Sequence, residues 1–355
     1  RFATHLIKII FSRKTLMHIE IITTPNELLK ESGFGSLEAC NSVLKAIKTM
    51  GINVRLNVCK TKANIEDIVK RRPDLVILAV KYIPVKNENN IWLSDYFSQH
   101  GINFTGSSRE VLEFDSNKVL AKTHLINQGI NTANYFIAIP GKYKKESDLP
   151  ITFPLFLKPL DAANGNGIDD LSFVTNFTDY ESKTLSLYNT FNLPVLVEEY
   201  LNGREFSVAI IKTRNESLIV SAVEIIPPIS TNGLRILGAQ AKKDDSEKLI
   251  EIDDYEIKSR VSALAVEAFN SLGVRDFGRI DIKMNKEGEC FFMEANLVPG
   301  MTYGSSYFPK ACDIAHEFTY DKVIELLLDG GLERASSTIS PYMQPGSDNK
   351  LVLVV

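Results

Sequence analysis

Strand-like and helix-like segments alternate along the first hundred residues, and this alternation constrains the fold more than any other feature. Apolar, strand-like runs occupy residues 18–24, 54–58, 75–80 and 102–105, and helix-like segments cover 37–50, 65–71 and 91–100. Strands that are joined through helices form parallel sheets, and a run as uniformly apolar as LVILAV is typical of a strand buried on both faces. The pattern predicts a parallel α/β domain that begins at Met17 and that we assign to residues 17–112.

The remaining chain has a different character. A helix over residues 116–128 and strands separated by a glycine-rich loop predict an α+β region over 113–205, and a third region with strands and helices at 255–272 and 321–328 covers 206–335. Residues 1–16, which are basic and apolar, are interpreted as an N-terminal extension. Residues 336–355, rich in turn-forming residues, are interpreted as a tail.

Length and composition exclude several classes of protein. A chain of 355 residues is too long for one small module, and 44% hydrophobic with 24% charged residues is typical of a globular protein. A net charge of −4 argues against a nucleic-acid partner, and no apolar run approaches the ~18 residues that cross a membrane. Four widely spaced cysteines indicate neither a disulfide framework nor a zinc site, so we expect a cytoplasmic protein.

Two loops could hold a nucleotide. In FPLFLKPLDAANGNG, Lys158 ends a strand and Gly165 and Gly167 follow in a loop, so a cation and free backbone amides could meet one phosphate. In VLVEEYLNGREF, carboxylates follow a strand that could offer backbone groups to adenine. Each segment alone also fits a simple turn, since glycine is common in turns and acidic residues are usually solvated. The candidate residues of the second segment are Glu198, Glu199, Tyr200, Leu201 and Glu205.

A predicted hairpin carries the strongest chemistry. GRIDIKMNKEGECFFMEANLVPGM places Asp281 on one strand, and Glu294 and Asn296 on the other, where residues two apart share a face. Carboxylate and amide oxygens without nearby His or Cys are the ligands that Mg²⁺ prefers. The alternative is a surface hairpin with solvated acids, but burying unpaired carboxylates among apolar neighbours would be costly.

The order of these three motifs resembles the ATP-grasp superfamily, and within it the D-alanine-D-alanine ligase-like branch. The resemblance is clear over residues 101–315, where GINFTGSSREVLEFDSNKVLAKTHLINQGINT and MEANLVPGMTYGSSYFP carry it, and loose before them. It implies an ATP-grasp fold, combining α/β and α+β parts, with the N-terminal α/β domain in front. It also implies an ATP-dependent carboxylate-amine ligase that forms a peptide-like bond between small molecules through an acyl phosphate, releasing ADP and phosphate.

The resemblance implies a role for each matching residue. Lys118 and Lys158 would contact the phosphates, the loop from Gly165 to Gly167 would close over them, and Lys242 would lie near the γ-phosphate. Adenine and ribose would be bound by residues of the second loop segment. Two Mg²⁺ ions, or Mn²⁺, would be held by Asp281, Glu294 and Asn296. The acceptor side would contain Arg279, which stabilises the tetrahedral intermediate, and Ser305 or Ser306, which holds the acceptor's carboxylate. The adenine and ribose residues are Glu198, Glu199, Tyr200, Leu201 and Glu205.

Departures from the family pattern fall in the first domain. KYIPVKNENNIW stands where the family has a glycine-rich, acidic segment, and GFGSLE, with Glu38, is only a fragment of another motif. We therefore expect different donor recognition and do not assume D-alanine as the substrate. The alternatives are a true D-alanine-D-alanine ligase and an inactive nucleotide-binding scaffold. The resemblance also suggests a homodimer formed through the first domain.

Overall fold

The structure is a computed structural model. It describes residues 17–28, 33–85, 89–160, 165–229, 233–238, 241, 244 and 246–338. Lys242, expected near the γ-phosphate, lies outside the described residues.

The first layer is a three-stranded parallel sheet. Its strands are β1 (His18–Thr23), β2 (Asn53–Val58) and β3 (Leu75–Leu78), in the order β2-β1-β3, with α1 (Leu37–Thr49) and α2 (Lys62–Arg71) between them. The uniformly apolar β3 is buried at every position, as predicted for a doubly covered strand. In place of the strand predicted at 102–105, a single parallel bridge joins Phe104 to Val76.

A short hairpin follows β3. It consists of β4 (Tyr82–Ile83) and β5 (Ile91–Trp92), and α3 (Leu93–Gln99) begins directly after it. The helix predicted from residue 91 therefore begins two residues later, because Ile91 and Trp92 pair with β4.

The helix predicted over 116–128 is α5 (Lys118–Asn127), and it is preceded by α4 (Arg109–Ser116), which the sequence did not predict. Asn117 separates them in an extended conformation, and its side chain accepts a hydrogen bond from the Leu120 amide. Asparagine is a favoured N-cap because its side chain satisfies a backbone amide that the helix leaves without a partner. Lys118 therefore occupies the first turn of α5.

An antiparallel sheet of four strands forms the middle of the chain. Its order is β6-β9-β7-β8, from β6 (Tyr135–Ala138), β7 (Leu155–Pro159), β8 (Phe173–Val174) and β9 (Val195–Glu199), and α6 (Phe177–Phe191) packs on it. Phe136, Leu157, Tyr180 and Leu187 belong to a core cluster that is specific to this layer.

An antiparallel sheet of five strands carries the predicted metal hairpin. Its order is β12-β11-β10-β13-β14. The strands are β10 (Glu205–Lys212), β11 (Leu218–Ile226), β12 (Lys248–Ile250), β13 (Phe277–Met284) and β14 (Cys290–Asn296). The helices of this part are α7 (Tyr255–Ser271), α8 (Tyr307–His316) and α9 (Tyr320–Thr338).

One core cluster is shared by the first sheet and the five-stranded sheet. It contains Ile19 and Ile21 of β1 together with Val208 of β10 and Ile280 of β13, and all four residues are completely buried. The first sheet and the five-stranded sheet therefore form one packed part, and the four-stranded sheet, with its own core cluster, forms another. The domain boundaries that we placed at 112/113, 205/206 and 335/336 fall inside α4, β10 and α9.

The last helix is longer than the sequence predicts. We expected it to end at 328, before Gly330 and Gly331, but α9 continues to Thr338. These glycines are sites of close approach: a Cβ on Gly331 would lie 2.8 Å from Leu75 Cδ1, and one on Gly330 would lie 3.2 Å from Asp276 Oδ1. Tertiary packing therefore explains glycines that resemble a helix stop. Within the described ranges, no helix is long and apolar enough to cross a membrane.

Candidate functional site

A cleft opens between the four-stranded and the five-stranded sheets. Nine of the predicted site residues line it, and they come from α5, β7, β9, β10, β13, β14 and the loops beside them. They are Lys118, Lys158, Gly165, Glu199, Tyr200, Leu201, Glu205, Asp281 and Glu294. Gly167, Glu198, Arg279, Asn296 and Ser305 lie outside this lining, although several contact residues in it.

A buried carboxylate holds Lys158, one of the two lysines that we predicted to contact phosphates. Glu198 Oε2 lies 2.7 Å from Lys158 Nζ, and Glu198 Oε1 lies 2.8 Å from Lys122 Nζ, with both the glutamate and Lys122 almost completely buried. Burial alone would raise the pKa of Glu198, but the charges of Lys122 and Lys158 lower it to about 2. Glu198, which we expected at the adenine, therefore points to the lysines and orients Lys158.

The opposite end of the cleft is aromatic and apolar. The Tyr200 ring lies 4.6 Å from Phe173 and 6.3 Å from Phe156, and Leu201 is buried beside it. Glu199 turns away to accept a hydrogen bond from the Asn134 amide at 2.7 Å. This end can therefore cover a planar ring through apolar contacts.

Glu205 faces a cation that sequence reasoning missed. Lys283 Nζ lies 3.2 Å from Glu205 Oε2, and both residues line the cleft. The sheet register explains the pair, because Glu205 of β10 is directly opposite Lys283 of β13. The pair could have been expected from the strand period, since Lys283 is two residues after Asp281 and shares its face.

The aspartate at the centre of β13 is held from three directions. Its Oδ1 accepts from Ser207 Oγ at 2.7 Å, and Arg279 contributes Nε to Oδ1 at 3.0 Å and Nη2 to Oδ2 at 2.9 Å. Asn296 Nδ2 lies 3.3 Å from Oδ2. Burial would lower the pKa of Arg279, but Asp281 raises it, so the guanidinium stays charged. The pair fixes the orientation of both Arg279 and Asp281.

The second carboxylate of the hairpin lies opposite Asp281. Glu294 pairs with Asp281 in the register of β13 and β14, next to a β-bulge, and its Oε2 lies 3.5 Å from Lys118 Nζ. The predicted cation and the predicted metal ligand are thus side by side. Among the residues that the structure describes, no group of three His, Cys, Asp or Glu could hold a metal ion.

A metal ion at this site would be bound by two carboxylates and an amide instead of three acidic or histidine side chains. The set consists of two carboxylates and the amide of Asn296, which are hard oxygen donors, and two of them line a cleft that also contains lysines. This donor chemistry fits Mg²⁺ with phosphate oxygens as the additional ligands.

The glycine loop is shaped by close contacts. Gly165 and Gly167 have φ values of 72° and 78°, which favour glycine. A Cβ on Gly167 would lie 2.6 Å from Pro159 Cγ and 2.7 Å from Phe191 Cε2, so this residue must be glycine for packing reasons. Gly165 faces the cleft.

The two candidate serines differ in their contacts. The Ser306 hydroxyl accepts a hydrogen bond from the Thr302 amide at 2.8 Å, and Ser306 is the N-cap of α8. Ser305 is half-buried, and its backbone amide lies 3.3 Å from the Thr302 carbonyl. Since Ser306 supports the loop, Ser305 is the better candidate for contact with a substrate.

A loop of the first layer contacts the loop that follows β14. Phe34 donates its amide to the Ala79 carbonyl at 2.9 Å and accepts from the Met301 amide at 2.8 Å. Gly33 has a φ of 47°, and a Cβ there would lie 2.2 Å from the Ala79 oxygen. Glu38 lies on the exposed start of α1, away from this contact.

Other residues of the lining were not predicted. Phe156 could have been found, because it is two residues before Lys158 on β7 and shares its face. Pro159 ends β7, and Asn166 lies between the two glycines of the glycine loop. The others come from further loops or a bulged strand, where periodicity gives no information. They are Ile168, Arg235, Ile236, Leu237 and Met293.

A family model and several curated proteins are similar to this chain in sequence. Residues 125–329 match the family model described as D-ala D-ala ligase C-terminus. A D-alanine--D-alanine ligase of Ralstonia pickettii is 25% identical over 316 residues, covering 85% of this chain and 88% of that protein. One from Aquifex aeolicus is 30% identical over 205 residues, 57% of this chain. An uncharacterized protein of Sinorhizobium fredii is 27% identical over 237 residues, 64% of this chain.

The matched segments span just under two thirds of two of these relatives, 65% of the Aquifex protein and 66% of the Sinorhizobium protein. Solved structures share the fold along nearly the whole length. The Bacillus anthracis D-alanine--D-Alanine ligase complexed with ATP superimposes with a TM-score of 0.68 at 20% identity, covering 91% of this chain and 99% of that one. The VanG D-Ala:D-Ser ligase of Enterococcus faecalis gives 0.66, also at 20% identity, covering 89% and 99%. The fold is therefore the ATP-grasp fold, with a parallel sheet at its N-terminus.

Proposed function

Because the chain belongs to the D-ala D-ala ligase C-terminus family, we propose that it is an ATP-dependent ligase that joins a carboxylate to an amine. The observation that carries the proposal is the convergence of Lys118 and Lys158 with Asp281 and Glu294 in one cleft. Such an arrangement binds a polyanion together with a divalent cation, which phosphoryl transfer requires.

ATP would lie along the cleft. Tyr200 and Leu201 would cover adenine with Phe156, and Glu205 would bind the ribose hydroxyls. Lys118, Lys158 and the loop at Gly165 would contact the phosphates. A structural neighbour complexed with ATP supports ATP as the nucleotide. Glu198 would act indirectly, because it holds Lys158 rather than the nucleotide.

Asp281, Glu294 and Asn296 would hold Mg²⁺, two ions as the resemblance implies, or Mn²⁺. A bound cation would neutralise part of the negative charge of the phosphates. The protein's own share is orientation: Ser207 and Arg279 fix Asp281, and Lys118 lies beside Glu294. Fixed charges of this kind act without rearranging during the reaction.

The reaction itself needs two displacements. A carboxylate oxygen of the donor attacks the γ-phosphorus of ATP, so ADP leaves and an acyl phosphate forms. The amine nitrogen of the acceptor then attacks the acyl carbon, the bond to the phosphate oxygen breaks, and the amine loses a proton. Arg279 keeps Nη1 outside its pair with Asp281, and we assign it to the developing negative charge. Ser305 would hold the acceptor's carboxylate.

The donor is proposed to differ from D-alanine. The segment after β3 presents Lys81, Tyr82 and Trp92, and Lys81 is buried in an ion pair of 2.8 Å with Asp115. Acids that would bind a donor ammonium are absent from the described part of this segment. A true D-alanine-D-alanine ligase remains the second candidate, and the named relatives are compatible with it.

We propose a cytoplasmic location from the state of the cysteines. The chain keeps four free cysteines, three of them buried, as in a reducing cytoplasm. Small molecules are the proposed partners, and a homodimer through the first domain stays a prediction.

The test is phosphate release from ATP and Mg²⁺ with D-alanine and the common L-amino acids, singly and in pairs. Release with D-alanine alone selects the second candidate, and release only with another pair supports the rebuilt donor site. Nucleotide binding without release under any combination indicates an inactive scaffold.

Glu294→Gln should abolish phosphate release, because the amide removes a metal-binding charge, while the thermal unfolding temperature changes little. Glu287→Gln is the matched control, since Glu287 is an exposed carboxylate in the turn of the same hairpin. Activity retained in Glu294→Gln would contradict the metal assignment.

A further inference from the structure

A second buried carboxylate lies near Arg279 and has no role in the site described so far. Glu247, just before β12, is 7% exposed, and its Oε1 accepts a short hydrogen bond from the Tyr307 hydroxyl. Its Oε2 is fully buried and has no hydrogen-bond partner among the described residues.

An unpartnered buried carboxylate oxygen calls for an explanation. Buried polar groups in proteins are nearly always hydrogen-bonded, and an uncompensated buried charge is costly. The Arg279 guanidinium lies 5.2 Å from the centre of the Tyr307 ring, but it is bonded in bidentate fashion to Asp281. This nearby guanidinium is therefore paired with Asp281 rather than with Glu247. A ligand with a positive charge would supply what Oε2 lacks.

The position of Glu247 indicates which ligand. Tyr307 is the first residue of α8, directly after Ser305 and Ser306, and its ring contacts Arg279. Glu247 therefore joins the side of the site to which we assigned the acceptor, rather than the nucleotide side. Burial and the neighbouring Glu247 raise the pKa of the Tyr307 hydroxyl, so it stays a hydrogen-bond donor to Glu247.

We infer that Glu247 binds the ammonium group of the acceptor amine, with Oε2 accepting its hydrogen bond and Tyr307 fixing the carboxylate through Oε1. This inference rests on the proposed function. An amine of this class is largely protonated near neutral pH. A charge-assisted hydrogen bond to a buried carboxylate recognises the ammonium and rejects neutral analogues. Ser305 and Glu247 would then contact opposite ends of an amino-acid acceptor.

The experiment separates acceptor binding from donor activation. The amine probe is the amino acid that gives phosphate release in the screen above. Hydroxylamine, a small neutral nucleophile, traps the acyl phosphate as a hydroxamate and so reports the first displacement alone. We expect Glu247→Gln to raise the KM for the amino acid by at least about tenfold, as for loss of a charge-assisted bond. The KM for ATP and the rate of hydroxamate formation should stay unchanged.

Three further variants exclude a merely structural role. Glu251→Gln is the matched control, because Glu251 is exposed and pairs with Lys258 at 3.4 Å; it should keep the wild-type KM. Tyr307→Phe keeps the charge of Glu247, so its KM for the amino acid should rise less than in Glu247→Gln. Glu247→Asp keeps the charge on a shorter side chain and should give an intermediate KM, which also provides the measurement if Glu247→Gln does not fold.

The outcomes are distinct. An unchanged acceptor KM in Glu247→Gln overturns the inference and leaves the ligase function standing. Equal losses of coupling and hydroxamate formation, or equal effects of Tyr307→Phe and Glu247→Gln, also overturn it, because Glu247 then only supports the fold. If the wild-type protein releases no phosphate with any amine, the proposed function fails, and the inference fails with it.

Discussion

The sequence indicated Glu198 as a site residue, but its contacts in the structure differ from those that we predicted. The motif drew attention to it, but its carboxylate lies between Lys122 and Lys158 rather than at the aromatic end of the cleft, where we expected it to meet adenine. Lys122 is 76 positions earlier and fully buried in α5, so only the tertiary structure brings it to this strand. Short-range patterns cannot predict such a contact. They did select Lys158, Asp281 and Glu294, which lie on predicted strands and line one cleft in the structure.

Replacing Glu198 by Gln should destabilise the protein by roughly 3–5 kcal/mol, since it leaves two buried lysines without their counter-charge. Urea unfolding measures the loss. The KM for ATP should also rise, because Lys158 loses the group that orients it. Glu181→Gln, an exposed residue of α6, is the control and should change stability by less than about 0.5 kcal/mol. Equal stability of the two variants would show that Glu198 is not paired.

The same carboxylate predicts a dependence of stability on pH. Its pKa in the folded protein is about 2, below its ordinary value of 4.5. Its stabilising contribution is therefore complete above about pH 4.5 and is lost as the pH falls towards 2. Between pH 5 and pH 2, the free energy of unfolding should fall by on the order of 3 kcal/mol more in the wild type than in Glu198→Gln. Parallel urea titrations check this, and identical pH profiles would contradict it.

At the level of elements, Asp276 ties three segments together. It accepts from the Gly106 amide at 2.8 Å and from Arg334 of α9 through two bonds of 2.8 Å, just before β13 begins. Arg334 also donates to the Phe104 carbonyl at 2.9 Å. This junction lies six residues beyond the position at which the sequence predicted that α9 ends. The helix continues because its last turns are bound by tertiary contacts, which helix-stop patterns do not contain.

Asp276→Asn should cost roughly 3 kcal/mol of folding free energy, because Arg334 loses its charged partner at a site that is 5% exposed on the aspartate side. Asp329→Asn, on the same helix, is the control. Its pair with Arg214 is 3.2 Å long but more exposed, so its loss should cost less than about 1 kcal/mol. Chemical denaturation of both variants decides the matter; a similar small loss in both would mean that the junction contributes little.

The elements that the sequence predicted well are those with a strong period. The hairpin of β13 and β14 was predicted with the proposed metal ligands on its two strands, and the observed register places Asp281 directly opposite Glu294. The bulge beside them, the break at Asn117 and the short hairpin of β4 and β5 were missed. Each depends on one or two local hydrogen bonds, which leave no period in the sequence.

In the whole molecule, the distribution of apolar cores separates two bodies. The first sheet and the five-stranded sheet share one core, whereas the four-stranded sheet has its own. The cleft lies between these bodies. The four-stranded sheet can therefore move against the remainder with little loss of buried apolar contact, as expected for a closing lid.

Binding of a non-hydrolysable ATP analogue with Mg²⁺ should slow amide hydrogen exchange in residues 156–159 and 199–201, which line the four-stranded side. Exchange in β1 and β3 should stay unchanged, because these strands belong to the other body and lie away from the lining. Hydrogen-exchange mass spectrometry makes the comparison. Equal protection of all sheets would indicate one rigid body instead of two.

The loop at Phe34 has a consequence for how such a protein can change its substrates. Phe34 is hydrogen-bonded to Ala79 on the proposed donor side and to Met301 on the proposed acceptor side. One backbone segment thus sets the distance between the two pockets. A mutation that reshapes this loop for a new donor will also shift the loop that receives the amine. Directed evolution of the two specificities would therefore have to proceed jointly, with paired substitutions on either side of Phe34 selected together.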